Sequence, residues 1–205
     1  INMAHGEMVM LGAYTTFVVQ EAIRNKAISL FIPGTSIGFA LPLPFNVSLD
    51  WSLPIAVPLA FCVSGFIGIL IERGIIRFLY GRPLETLLAT WGLSLIIQQA
   101  VRTAFGPTNK DVGNPSWMSG SFDLGHITIT YNRLWIIVFT LLIFVGLLAL
   151  LRYTRFGLEM RAVTQNRAMA ASMGIRTSRI DALTFGLGSG IAGLAGVALS
   201  QIDNV

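Results

Sequence analysis

The sequence predicts an all-α integral membrane protein, a polytopic bundle of transmembrane helices with one short helix on its cytoplasmic side. Only 12% of its 205 residues are charged and 54% are hydrophobic, whereas soluble domains carry about 25% charged residues. The mean hydropathy is +0.70. Five apolar segments approach the roughly 20 residues that cross a bilayer. A single transmembrane domain over residues 1–205 is therefore expected, with approximate spans at 8–30, 53–71, 86–105, 134–151 and 182–201.

The five segments differ in how sharply they are marked. Residues 134–151 are free of charge and consist almost entirely of Leu, Ile, Val and Phe, which favours insertion into the membrane. Pro83 after Arg82, with Glu85 in the first turn, is typical of a helix start and predicts where the third segment begins. The first segment becomes polar towards its end at residue 30.

Arginine and lysine predict the orientation of these segments, because cytoplasmic connections collect them. Of the fourteen in the chain, nine lie in two alternate connections, residues 73–85 and 152–180. Five alternating spans then place these two connections in the cytoplasm. Residues 31–52 and 106–133 fall on the opposite side, and the alternation of Ile and Thr in 127–131 predicts a short strand there.

The stretch "RAVTQNRAMAASMGI", residues 161–175, predicts a short cytoplasmic helix. Thr164 or Asn166 can cap its start, Arg167–Met173 contains good helix formers, and Gly174 is a natural stop. Such a helix is too short and too basic to span a membrane. It either lies on anionic lipid or docks into a groove of a cytoplasmic partner through its Ala and Met side chains.

Two groups of polar residues lie in or beside apolar segments and are candidates for the translocation path. Asn2, His5 and Glu7 stand at the first segment, and Gln98 and Gln99 lie within the third. Ionisable groups inside a membrane are costly and face a bundle interior or a cavity. Each group either lines a path, where amides suit a neutral hydrogen-bonding solute, or joins helices by hydrogen bonds. Gln98 is one helical turn from both Ser94 and Arg102, so these three side chains could share a face.

The glycine-rich stretch "GLGSGIAGLAG" in the last segment predicts close helix packing. Gly186, Gly190, Gly193 and Gly196 follow small-xxx-small spacing, which lets helices approach closely in lipid. Gly188 completes a literal GxGxxG, but a dinucleotide site needs that motif between a strand and a helix. The same glycines could also let this helix slide or bend.

Several other classes of function are disfavoured. The net charge of +4 follows from basic loops between apolar segments rather than from a nucleic-acid surface. The sequence contains no P-loop, HExxH or GxSxG motif, and its lone cysteine, Cys62, cannot form an internal disulfide. We therefore expect neither an enzyme nor a metal site, nor any cofactor bound by this chain. The ends of the sequence suggest an internal piece of a longer protein.

The segment "AMAASMGI" resembles the coupling loop of ABC-importer permeases, although Ala168 stands where that family usually has Glu. The stretch "INMAHGEMVMLGAYTT" resembles the signature of branched-chain amino-acid-type permeases. The stretches "YGRPLETLLATWGLSLIIQQAVR", "FGPTNKDVGNPSWMSG", "ITITYNRLW" and "MRAVTQNRAMAASMGI" resemble the urea-transporting branch of that family. The resemblance covers essentially the whole chain.

This resemblance implies a permease subunit in a bacterial inner membrane. Its implied partners are cytoplasmic ABC ATPases that carry ATP and Mg²⁺, a second permease subunit and a periplasmic substrate-binding protein, with lipid around the spans. The implied contacts with the ATPase fall on one segment: Arg161, Asn166, Arg167, Ala170, Ala171 and Gly174. Urea is the expected solute. The alternatives are a branched-chain amino acid or short amide and, in a different class, a membrane scaffold that transports nothing.

Overall fold

The computed structural model describes residues 3–25, 27–31, 38–42, 48–108, 110–123 and 128–202. In this part of the chain there are seven α-helices: α1 (His5–Asn25), α2 (Ser52–Gly74), α3 (Pro83–Phe105), α4 (Tyr131–Tyr153), α5 (Arg155–Gln165), α6 (Arg167–Ser172) and α7 (Thr177–Leu199). Two antiparallel hairpins accompany them, β1 (Ala27–Phe31) with β2 (Gly38–Pro42), and β3 (Ser121–Asp123) with β4 (Thr128–Thr130). The predicted all-α fold class is confirmed.

Four of the described helices, α2, α3, α4 and α7, are long and apolar enough to cross a membrane. The helix α1 has 21 residues and a length of about 31 Å, but it carries more polar side chains. The prediction that this first helix continues to residue 30 is wrong. It ends at Asn25, and Ala27–Phe31 form β1, because the polar run from Gln20 to Asn25 is followed by residues that pair in an extended hairpin.

The centre of the bundle is formed by α1, α2 and α7. Met8 of α1, Ile71 of α2 and Ala192 of α7 are buried in one apolar cluster. Gly12 lies beside Gly193 and Gly65 lies beside Gly186. Along α1, Met8 contacts Ser64 and Gln20 contacts Ser52, so α2 is antiparallel to α1. Along α7, Gly190 contacts Phe61 and Gly186 contacts Gly65, so α2 is antiparallel to α7 as well, and α1 is parallel to α7. This is the arrangement that alternating first, second and fifth spans require.

Glycines set the distance between these central helices. A Cβ atom built on Gly193 would lie 2.8 Å from the carbonyl oxygen of Ala60, and one on Gly196 would lie 2.8 Å from the backbone nitrogen of Ala13. A Cβ on Gly190 would lie 2.7 Å from the ring of Phe61, and one on Gly186 would meet the side chain of Ile69. The space at these four positions is therefore filled by neighbouring helices, and GxGxxG lies inside a helix instead of after a strand.

At the end of the bundle remote from α6, hydrogen bonds hold the loop after α3. The Gln20 side chain donates to the Gly113 carbonyl at 2.7 Å and accepts from the Gly113 N–H at 2.9 Å. The backbone N–H and hydroxyl of Ser116 donate to Asp50 Oδ1 at 2.9 and 2.6 Å. These two bonds from Ser116 hold the pKa of Asp50 below its usual value.

Candidate functional site

A buried polar cluster joins α1 to α3. The hydroxyl of Ser94 donates to Glu7 Oε1 at 2.6 Å, and the Gln98 amide nitrogen donates to the same oxygen at 2.7 Å. Gln98 also lies 3.4 Å from the Ser94 oxygen, because residues four apart share a helix face. Glu7 is only 8% exposed. We call Glu7, Ser94 and Gln98 the Glu7 cluster.

The Glu7 cluster exists because α1 and α3 run parallel through an apolar region. Leu93 and Ile97 of α3 pack against the buried apolar cluster that includes Met8, and this contact turns the intervening face of α3 towards Glu7. Further along, the rings of Tyr14 and Phe105 lie 4.9 Å apart. Hydrogen bonds to a charged group contribute about 1.5–3 kcal/mol each, so the two donors offset part of the cost of burying Glu7.

The chemistry of the Glu7 cluster is hydrogen bonding to a carboxylate without a cationic partner. Within the described residues, the ion pairs are Arg82–Glu85 and Arg167–Asp181, and neither includes Glu7. A carboxylate accepts N–H and O–H groups, and the Gln98 amide both donates and accepts. The cluster therefore combines acceptor groups with an amide that both donates and accepts, which is the chemistry that suits a neutral, hydrogen-bonding molecule.

The other predicted path residues lie elsewhere. Gln99 is exposed on a different face of α3. His5 is exposed at the start of α1, where it lines a cavity of about 350 Å³ together with Tyr80, Asp181 and Thr184. The structure thus separates His5 from the Glu7 cluster. Asn2 lies outside the described residues.

The predicted short helix is α6, and local hydrogen bonds define both of its ends. The Asn166 side chain accepts from the Met169 N–H at 3.0 Å, so Asn166, not Thr164, is the N-cap. Gly174 has φ +87°, the left-handed conformation that glycine adopts most easily. The Ile175 N–H then donates back to the Ala170 carbonyl at 3.1 Å, which closes the helix.

The side chains of α6 divide into a buried and an exposed set. Ala170 is 4% exposed and packs with Val163 of α5 and Ile180 of α7. Met169 and Met173 are 63% and 78% exposed. Ala171 and Arg161 are exposed as well. The exposed surface of this segment thus includes two methionines, Ala171 and Arg161, while Ala170 attaches α6 to the bundle.

Among the described residues, no three His, Cys, Asp or Glu side chains lie close enough together to hold a metal ion. Membrane transport is the function that the apolar spans, the capped helix α6 and the Glu7 cluster suggest. Residues 1–205 match the family described as "Branched-chain amino acid transport system / permease component". The chain belongs to this permease family.

Relatives of this permease chain have been characterised in bacteria. It is 30% identical over 213 residues to the high-affinity branched-chain amino acid transport system permease protein LivH of Escherichia coli K12, covering 100% of this chain and 62% of the relative. It is 30% identical over 211 residues to BraD of Pseudomonas aeruginosa, described in the same words, covering 98% and 61%. The chain thus spans about three-fifths of the length of these relatives. No solved structure matches it.

The structure of this permease chain also reveals polar residues that the sequence analysis missed. Glu72, in the last turn of α2, is 1% exposed and accepts a hydrogen bond from the Tyr80 hydroxyl at 3.1 Å. Asp181 of α7 pairs with Arg167 of α6. Partial burial and the carboxylate of Glu72 raise the pKa of Tyr80 above its usual value. The available signal was an acid at the end of an apolar segment, which the adjacent arginines obscured.

Proposed function

We propose that the full-length protein is a permease subunit of an ATP-driven importer in a bacterial inner membrane, and that its solute is urea. The membership of a permease family, the apolar spans and the helix α6 support the transport function. In this proposal, cytoplasmic ATPases supply ATP and Mg²⁺ and contact the surface around Met169 and Met173. A second permease subunit and a periplasmic binding protein complete the system.

The observation that carries the choice of urea is the Glu7 cluster. Urea has four N–H donors and one carbonyl acceptor and is neutral. The Glu7 carboxylate matches the donors and the Gln98 amide matches both kinds of group. A zwitterionic amino acid brings an ammonium, which the Glu7 carboxylate would attract, and a carboxylate, which needs a cationic partner. Among the described residues, neither ion pair places Arg or Lys at the Glu7 cluster. The resemblance of the α3 and α6 regions to the urea-transporting branch agrees with this choice.

A branched-chain amino acid is the second candidate, and the names of the relatives favour it. LivH and BraD are both described as permeases of branched-chain amino acid transport systems. At 30% identity, a common architecture is compatible with a different solute. In addition, a binding protein that selects the solute would leave this chain with a smaller share of the specificity.

Uptake of labelled urea at low micromolar concentration tests the proposal. The cells lack urease and their own urea uptake, and they express the full-length gene with its neighbouring transporter genes. We expect ATP-dependent urea uptake that excess leucine leaves unchanged. Leucine uptake without urea uptake would establish the second candidate. Uptake of neither solute, with all subunits present in the membrane, would contradict both and favour a membrane scaffold.

A further inference from the structure

Four side chains form a continuous polar connection between α6 and the centre of the bundle. The Arg167 guanidinium of α6 pairs with the Asp181 carboxylate of α7. Its Cζ atom also lies 5.3 Å from the centre of the Tyr80 ring, within the range of a cation–π contact. The Tyr80 hydroxyl donates to Glu72 Oε1 of α2 at 3.1 Å. We call these four residues the Arg167–Glu72 chain.

At its α2 end, the Arg167–Glu72 chain includes the buried side chain of Glu72, which is costly to leave without a hydrogen-bond donor. Glu72 is 1% exposed, and among the described side chains its Oε2 atom has no hydrogen-bond partner. Removing the one donor from a buried carboxylate leaves it uncompensated, which is strongly unfavourable. Separating Tyr80 from Glu72 is therefore costly.

The other end of the Arg167–Glu72 chain is Arg167, which belongs to α6 itself. Arg167 is the first residue of α6, directly after the Asn166 cap. The exposed Met169 and Met173 belong to the same short unit. A displacement of α6 therefore carries the Arg167 guanidinium with it, and Arg167 contacts α7 through Asp181 and the α2–α3 connection through Tyr80.

Two other features connect α6 to the bundle, the backbone turn at Gly174 and the contact of Ala170. Between α6 and α7 the chain passes through Gly174, whose φ of +87° marks a turn of the chain direction. The side of α6 that contacts the bundle is small, with Ala170 against Val163 and Ile180. The polar connection is the part of the contact that reaches α2, and α2 is packed closely against α7 and α1.

We infer that Arg167, Asp181, Tyr80 and Glu72 act as positioning residues that transmit movement of α6 to α2 and α7. This inference rests on the proposed function, because the movement is the one that ATPase docking would impose on α6. It assigns a role to the buried Glu72 and to the cavity whose lining includes Tyr80, Asp181, Thr184 and His5. Glu7 follows His5 by two residues on α1, about 3 Å further along the helix axis.

The test compares solute moved per ATP hydrolysed by the complete transporter in proteoliposomes. Tyr80→Phe removes the hydroxyl that binds Glu72 and keeps the ring beneath Arg167, whereas Tyr80→Leu removes both. Coupling free energies of this kind typically change an equilibrium about fivefold or more. We expect Tyr80→Phe to lower the ratio by at least that factor and Tyr80→Leu to lower it further, with the ATPase still copurifying. Tyr153→Phe, on the exposed end of α4, is the control.

A conservative variant separates transmission from mere folding. Glu72→Gln retains an oxygen that accepts the Tyr80 hydroxyl, so it should keep more of the ratio than Glu72→Leu at equal protein abundance and melting temperature. Ratios that equal the wild-type ratio in both Tyr80 variants would overturn the inference. So would transport and ATP hydrolysis that fall in equal proportion.

A second measurement does not depend on the solute. In a Cys62→Ser background, Thr184→Cys places a thiol beside the cavity, and labelling by N-ethylmaleimide is measured with and without ATP. We expect ATP to change the labelling rate in this protein and not after Tyr80→Phe is added. An equal response in both overturns the inference even if urea is transported. Failure of urea and leucine uptake, with the labelling difference present, contradicts the proposed solutes and supports the transmission.

Discussion

Gln98 and Gln99 are chemically identical neighbours with different surroundings. Successive residues of an α-helix point about 100° apart, so Gln98 reaches Glu7 of α1 while Gln99 faces away from the central helices. The Glu7 cluster is therefore specific to one of the two amides.

This difference makes Gln99 the matched control for Gln98. Gln98→Leu removes a hydrogen bond to a carboxylate, worth about 1.5–3 kcal/mol, and should lower uptake roughly tenfold or more at unchanged abundance in the membrane. Gln99→Leu should leave uptake close to wild type. Labelled-solute uptake normalised to protein abundance measures both. Equal loss of uptake and abundance in Gln98→Leu would assign the cluster a structural role.

Whether a single residue could be recognised as a candidate site residue depended on its neighbours in the sequence. Glu7 and Gln98 were identifiable because each is polar within an apolar run, and that signal depends on sequence alone. Their mutual contact was not, because it depends on how α1 and α3 rotate about their axes. Glu72 was missed for the opposite reason, since Arg73 beside it made the acid look like part of a solvated loop.

Among the elements, α7 shows how closely helices can pack when side chains are absent. Gly196 faces the backbone of Val9 and Ala13, whereas a Cβ on Gly188 of the same helix would meet nothing within 4 Å. The two glycines lie about two turns apart on α7, and only Gly196 faces a neighbouring main chain. Small-xxx-small spacing selected the residues at the helix contacts without showing which partner each one meets.

Alanine substitution at these two positions should separate packing from helix propensity. Gly196→Ala forces α1 and α7 apart, and overpacking of this kind costs about 1–3 kcal/mol, so the melting temperature in detergent should fall by several degrees. Gly188→Ala meets no obstacle and gains up to about 1 kcal/mol of helix propensity, so its melting temperature should stay the same or rise. Equal melting temperatures for the two variants would refute the assigned contact.

The element boundaries were predictable to different degrees. The apolar segments located α2, α3, α4 and α7, and Pro83 marked the start of α3 as predicted. Helix α5 was not predicted from the sequence, because its charged residues Arg155, Glu159 and Arg161 are typical of a solvated connection between spans. The end of α1 depended on the pairing of β1 with β2, which the apolar pattern of the first segment did not indicate.

At the scale of the whole molecule, the contacts show that α1, α2 and α3 alternate in direction and that α7 runs parallel to α1. Contacts along α1 run in the same direction on α3 and in the opposite direction on α2, and α2 in turn is antiparallel to α7. The connection after α2 and the segment around α6 therefore lie at one end, and the loop containing Ser116 lies at the other. Together with the distribution of arginine, this predicts that the α6 end faces the cytoplasm.

Cysteine accessibility in intact cells tests this orientation. In a Cys62→Ser background, Ser119→Cys and Ser178→Cys place the same new side chain at exposed positions at opposite ends of the molecule. A membrane-impermeant maleimide should label Ser119→Cys in intact cells and Ser178→Cys only after permeabilisation. The reverse pattern would invert the predicted topology.

The contact between Gly12 and Gly193 has a consequence for how this protein can change. Two main chains touch there, so no smaller residue exists that could bring α1 and α7 closer together. A side chain at Gly12 would meet the main chain of Gly193, whereas one at Gly193 would meet Ser64 and Ala60 of α2. A substitution at either position therefore adds atoms that can only separate α7 from a neighbouring helix. Mutation at this contact can therefore increase the distance between helices but not reduce it, and a change elsewhere would have to fill the resulting gap.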